Sequence, residues 1–253
     1  MKRALCLLLL AGCAGEPKEP ETRSMIDAAF KTDLETVSKA HVFFGHHSVG
    51  QNLLEGVAML SKEAGVPIKI DEAPVGKNLE PLTKFEDFAA RGEANKGDGT
   101  QLILMKLCYV DFNPDSNVDA MLDAYMKAVG RVRAARPGVK ILHVTPPLHS
   151  RPGGIKTTMQ RLLGKQVWED DTAIKRAEYA AKLKDRCRGE PVFDLSGVES
   201  TQPDGGKVIG VVKGREVPFL WSGFTDDGGH LNDFGKKVAG KAFVQALAAA
   251  LRR

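Results

Sequence analysis

The sequence predicts an α/β fold in which a parallel sheet carries helices on both faces. Three observations lead there. Short apolar runs alternate with segments of helical periodicity along most of the chain. The run at residues 101–108, QLILMKLC, is almost wholly apolar, as a strand buried on both faces requires. Each apolar run is followed by a helical segment, which calls for crossovers between parallel strands.

Five strands are expected. Residues 41–45 (HVFFG) form the first and are followed by a helix over 49–64, where Leu53, Leu54, Val57, Leu60 and Ala64 recur at helical spacing. Residues 66–70 (VPIKI) form an edge strand, because Pro67 cannot donate to a ladder. Residues 101–108 form the central strand. A helix over 118–135 turns Val118, Met121, Leu122, Tyr125, Val129 and Val132 to one side and is broken by Pro137-Gly138. Residues 139–144 and 191–195 form the last two strands, with one or two helices over 157–187 between them. A final helix over 232–251 buries Val238, Phe243, Leu247 and Leu251. Residues 200–222 break the alternation: glycine-rich turns flank a β-like stretch, VIGVVKG, read as an excursion near the site. Five strands are too few for a closed barrel.

Composition narrows the function. With 253 residues, 43% of them hydrophobic, one substantial core suffices. The net charge of +4 is spread without basic runs, and three Tyr and two Trp offer few stacking surfaces, so nucleic acid is disfavoured as a partner. Residues 1–12 read as a secretion signal: Lys2 and Arg3 precede the apolar run Leu5–Leu10, too short to span a bilayer. Leu10-Ala11-Gly12-Cys13 resembles the bacterial lipobox, which implies that Cys13 carries lipid and begins the mature chain. The expected location is then the bacterial cell envelope, on an extracytoplasmic face, with the membrane engaged through the anchor. Residues 13–24 would form the lipid-anchored tether and residues 25–253 the folded domain. Cys108 and Cys187 should be free thiols, since Cys108 ends one strand and Cys187 precedes another, positions that fall on opposite edges of a parallel sheet.

Groups that do chemistry gather at the carboxyl ends of strands in such sheets. Ser48 follows the first strand and opens a helix, where helix-start N–H groups favour developing negative charge. Ser48 and Gln51 also fit a capping box, a purely structural device. Asp227-Gly228-Gly229-His230 stands just before the last helix. There a His can take a serine proton, and an Asp three residues earlier can hold its tautomer.

With these residues in hand, the chain resembles the SGNH/GDSL hydrolase family. DGGHLNDFG is similar to the family's last block, GHHSVGQN to its first, and VKILHVTPP to one of its strands, over roughly residues 40–251. The resemblance implies a flavodoxin-like three-layer α/β/α sandwich and hydrolysis of an ester-type acyl bond on a small-molecule or glycan substrate, without cofactor or metal. It also implies Ser48, His230 and Asp227 as the catalytic residues. The sequence departs from the family pattern at several points. His46-His47 replace the acidic residue before the Ser. Gly76 and Asn78 are the candidates for the second block's oxyanion donor. Asp111 stands where the third block has an Asn, but an ionised carboxylate only accepts hydrogen bonds. Tyr109, Asn113, His46 and His47 are the other donors available. Lys106 interrupts the central strand and calls for a carboxylate partner such as Asp111. Two further readings stay open: an envelope binding protein without turnover, and a metal site built from His46, His47, Asp227 and His230.

Overall fold

A computed structural model of the chain describes residues 25–94 and 97–253. The signal segment, Cys6, Cys13 and the tether lie outside the described residues. The elements in order are α1 (Ala28–Ser38), β1 (Val42–His46), α2 (Val49–Ala64), β2 (Asp71–Pro74), α3 (Pro81–Ala94), β3 (Leu102–Met105), α4 (Val118–Ala135), β4 (Lys140–Ile141) and β5 (His143–Val144). They continue with α5 (Ile155–Leu162), α6 (Trp168–Arg186), β6 (Val192–Phe193), α7 (Leu195–Glu199), β7 (Ile209–Val212), β8 (Arg215–Pro218) and α8 (Asp233–Arg252).

The main sheet is parallel, in the order β2-β1-β3-β4, and helices cover it. It has four strands where the sequence predicted five. The segment 140–144 breaks at Leu142, so its first half pairs with β3 and its second half pairs with β6 in a separate parallel ladder. The β5–β6 ladder holds two residue pairs, His143 with Val192 and Val144 with Phe193, and stands apart from the main one. The edge strand also lies later than expected. Residues 71–74, not 66–70, take register with β1, pairing Phe43 with Asp71 and His46 with Pro74. Two helices that the apolar pattern did not mark, α1 and α3, fill the flanks. The stretch 200–222 holds the antiparallel β7–β8 hairpin.

Two apolar clusters sandwich the sheet. Phe44, Leu102 and Leu104 point into one, against α1, α2 and α8. Ile103 and Met105 point into the other, against α3, α4 and α6. The alternation of side chains along β3 assigns successive residues to opposite layers. Cys108 and Cys187 are both buried free thiols.

The contact that matters most for the site is between α2 and α8. Gly56 and Gly240 meet backbone to backbone: a Cβ on Gly240 would stand 2.7 Å from the Gly56 carbonyl carbon, and one on Gly56 would collide with the Lys236 carbonyl. Near the helix starts the contacts advance in step, from Asn52 with Leu231 just before α8 (3.1 Å) to Glu55 with Lys236 (3.1 Å) to Gly56 with Gly240, while farther on Lys237 reaches Glu63 at 3.5 Å. The helices therefore run the same way. Gly56 lies eight residues after Ser48 and Gly240 eight after Asn232, so each helix start stands about 12 Å from the contact. Both starts consequently share one end of the layer.

Candidate active site

Ser48 caps the start of α2 with φ 32° and ψ −93°, and its side chain makes no capping bond. The capping-box reading of Ser48 and Gln51 is thereby overturned. A non-glycine residue at positive φ costs about 1–3 kcal/mol and persists where the surrounding structure enforces it. Here β1 and the first turn of α2 enforce it: Gly50 N–H bonds the His47 carbonyl at 2.9 Å, and Asn52 N–H bonds that of Ser48 at 3.2 Å. Ser48 lines a cavity of about 430 Å³ with His46, His47, Gln51, Glu72, Ala73 and Pro74.

His230 and Asp227 form a dyad. The Asp227 carboxylate bonds His230 Nδ1 through Oδ2 at 2.6 Å. Its Oδ1 accepts the N–H groups of Gly229 and His230, each at 2.8 Å. These donors hold the Asp227 carboxyl well below the usual carboxylate range. An ionised carboxylate only accepts, so in the neutral imidazole the proton sits on Nδ1 and Nε2 keeps its lone pair. The loop is secured from three sides. Leu231 N–H donates to Asn52 Oδ1. Ser150 N–H and Oγ–H both donate to the Gly228 carbonyl, at 2.7 and 3.0 Å. The Tyr109 ring stands edge-on to His230, with centroids 6.1 Å apart.

The remaining candidates divide. Gly76 N–H is engaged by Asp87 at 2.9 Å, so it has no free proton for a substrate. Asp111 is fully buried and bonds Lys84 Nζ at 2.7 Å, the Cys108 N–H at 2.7 Å and the Leu79 N–H at 3.0 Å. It joins the turn after β3 to the 75–80 loop and has nothing to offer an oxyanion. Asn78 accepts from Lys84 Nζ at 2.9 Å through Oδ1, which leaves its NH₂ to donate elsewhere. Asn113 Oδ1 caps the Asp115 N–H at 2.9 Å, and its own N–H goes to Ser116. Tyr109 packs its hydroxyl against Gly229, where burial and the Asp227 charge push the phenol pKa up.

His47 Nε2 faces the Val75 and Gly76 carbonyls at 2.8 and 3.2 Å, which fixes Nε2 as a donor. His46 is buried and bonds Glu72 at 2.6 Å, and burial lowers its pKa. Of the four residues of the metal reading, His46 and His47 are thus committed to partners of their own and Asp227 and His230 to each other. Among the described residues no group of three or more His, Cys, Asp or Glu could hold a metal ion. Lys106 does not pair with Asp111, which Lys84 occupies. Its Nζ reaches the Leu107 carbonyl at 3.2 Å and Cys108 Sγ at 3.6 Å, and burial lowers its pKa.

Sequence reasoning did not mark Asn52, Glu72, Lys84, Ser150 or Glu199. Asn52 alone carried a signal, being one helical turn past Ser48 and so on the same helix face.

No family model and no curated protein sequence matches the chain. Solved structures do. A protein designated a platelet activating factor from Streptococcus pneumonia is 14% identical, with 87% of this chain and 91% of that one covered at a TM-score of 0.53. A DUF4886 family protein from Bacteroides uniformis is 12% identical, with 82% of each chain covered at a TM-score of 0.50. A lipolytic protein of the G-D-S-L family from Desulfitobacterium hafniense is 10% identical, with 82% of this chain and 99% of that one covered at a TM-score of 0.48. At such identities the likeness is one of architecture alone, and the chain shares the α/β/α fold of the first two.

Proposed function

We propose that the protein is a serine acyl hydrolase acting on small esters of hydroxylated molecules, with Ser48 as nucleophile, His230 as general base and acid, and Asp227 as the group that orients the imidazole. The observation that carries this reading is the 2.6 Å Asp227–His230 pair on a loop bonded to the first turn of the Ser48 helix.

In the reaction, Ser48 Oγ attacks the acyl carbonyl while His230 Nε2 takes its proton. The C–O bond of the collapsing tetrahedral intermediate breaks, and His230 returns the proton to the departing alcohol. Water then attacks the acyl-serine with His230 again as base, releasing the acid and restoring Ser48. In this reading the Ser48 N–H at the helix start receives the oxyanion, and the Asn78 side-chain NH₂, which the Lys84 bond leaves unused, is assigned as the second donor. Each such donor is worth about 3–4 kcal/mol of barrier in a serine protease. The cavity beside Ser48 is walled by His46, His47, Gln51 and Glu72, so it would hydrogen-bond a polyol and give a long acyl chain little apolar surface. Acetyl or similarly short esters on glycans fit it best. The lipobox-like sequence ending at Cys13 supports a cell-envelope location for this activity.

A second reading, a glycan-binding envelope protein without turnover, is favoured by one observation: Asp87 has already claimed the Gly76 N–H. Hydrolysis of p-nitrophenyl acetate separates the two. The hydrolase reading expects turnover that falls at least about 10³-fold in Ser48→Ala and in His230→Ala. An inert wild type that binds acetylated glycan supports the second reading, and turnover that survives both substitutions removes Ser48 and His230 from the chemistry.

A further inference from the structure

Helix α5 presents its apolar side to solvent. Ile155, Met159, Leu162 and Leu163 recur at i, i+4, i+7 and i+8 and so share one face. All four are exposed, Ile155 by 88% and Leu162 by 78%, and no residue of α5 is buried. Trp168, also exposed, follows at the start of α6. An amphipathic stripe of this kind normally faces a core. Here it is held outward at its base: Arg161 bonds Asp170 at 2.6 and 2.8 Å and the Pro152 carbonyl at 2.9 Å, and Arg151 lies 3.5 Å from Asp170.

Within the segment that carries the stripe the charge has one sign, and acidic residues begin only at Glu169. Between Arg151 and Trp168 the sequence holds Arg151, Lys156, Arg161 and Lys165 and no acidic residue. Asp170 pairs with both arginines, while Lys156 and Lys165 make no ion pair among the described residues and line the same surface depression as Ile155, Met159 and Leu163. Apolar side chains bordered by lysines, with a tryptophan nearby, match the boundary between headgroups and acyl chains of an anionic bilayer. No described helix is long and apolar enough to cross a membrane, so the contact would lie in the interface.

We propose that α5 docks the domain onto an anionic lipid surface. The chain outside the described residues favours this occupant over a protein partner. Cys13, read as lipid-bearing, is separated from the domain by residues 14–24, which extend at most about 40 Å. A domain so tethered would meet the bilayer at high effective concentration. A single lipid chain binds membranes weakly and reversibly, so a second contact converts that tether into stable attachment. The proposal does not depend on the hydrolase reading, and its test requires no acylation.

The test uses the full chain carrying Cys13→Ser and Trp221→Phe, so that Trp168 is the sole tryptophan. Vesicles of phosphatidylglycerol and dibrominated phosphatidylcholine report whether Trp168 reaches the bilayer, whatever residues 1–12 do. The expected result is a blue shift and quenching of Trp168, with at least a tenfold loss of apparent affinity when Ile155, Met159, Leu162 and Leu163 are replaced by Ser. Lys156→Glu with Lys165→Glu should remove the preference for phosphatidylglycerol. All six positions lie at the surface, so these variants should keep the wild-type circular dichroism. Absence of quenching in the parent, or equal quenching in the serine variant, overturns the proposal. So does lipid-free self-association that the serine variant abolishes, since the stripe would then serve a second copy of the chain.

Discussion

The backbone N–H of Leu231 donates to Oδ1 of Asn52 at 3.1 Å, across 179 positions of sequence. This bond fixes the residue after His230 to the helical turn that begins at Ser48. Asn52→Leu keeps the volume and removes the acceptor. Leaving a partly buried N–H unpaired should cost about 1 kcal/mol of stability. A small displacement of a reacting group costs up to about 10²-fold, so kcat on p-nitrophenyl acetate should fall 10- to 100-fold with KM little changed. An Asn52→Leu variant of full activity would show that the bond does not position the imidazole.

Asp227 offers a sharper change. Asp227→Asn retains an oxygen for the Gly229 and His230 N–H groups, so denaturant midpoints should stay close to wild type. The amide, however, no longer selects the tautomer with the proton on Nδ1. The corresponding change in a serine protease lowers kcat about 10⁴-fold, and a loss of similar order is expected here in steady-state kinetics.

The Lys84–Asp111 pair, with both side chains fully buried, predicts a stability effect. Lys84→Met strands the Asp111 carboxylate inside the protein, at a cost of about 3–5 kcal/mol. For a domain of this size that corresponds to a fall in Tm on the order of 10 °C, readable by calorimetry. Asn78 loses its orienting partner at the same time, so residual activity at permissive temperature should fall as well.

Glu199 predicts a pH dependence. It is buried, accepts the Leu148 N–H at 2.5 Å, and has an Oε1 without a partner. Desolvation raises its pKa to about 8, against the opposing pull of Lys106 and Arg176. A raised carboxyl pKa means that the folded state holds a proton the unfolded chain has released. This contribution to stability is full below the ordinary glutamate range, declines as pH rises toward about 8, and is gone above it. Glu199→Gln keeps the acceptor for Leu148 and cannot ionise. The stability difference between variant and wild type in urea titrations should therefore widen in the variant's favour from pH 5 to pH 8.5, by about 1.4 kcal/mol for each unit that separates the two pKa values. A constant difference would mean that Glu199 titrates normally.

Much of the layering was legible in the sequence, because it follows from periodicity. The largely apolar run at 101–108 marked a central strand, and Leu53, Val57 and Leu60 marked the buried face of α2. What escaped depended on contacts between distant segments. Helix α3 is short of apolar residues because its buried face includes Lys84, whose partner Asp111 lies 27 positions away. A charge at a core position reads as loop until its partner is known. Five strands became four because a break at Leu142 redirected hydrogen bonds, and register is a property of two strands together. At the site, the dyad was legible because Asp227 and His230 are close in sequence. The fates of Gly76 and Asp111 were not, since each is decided by a partner on another element.

The central claim is that Ser48 is a nucleophile made reactive by His230, and a fluorophosphonate probe followed by peptide mass spectrometry measures it most directly. The account predicts one adduct on the native protein, located at Ser48, absent after unfolding and at least about 10²-fold slower to form in His230→Ala. No adduct at Ser48 in the folded wild type, or an adduct that forms equally fast without the imidazole, would contradict it.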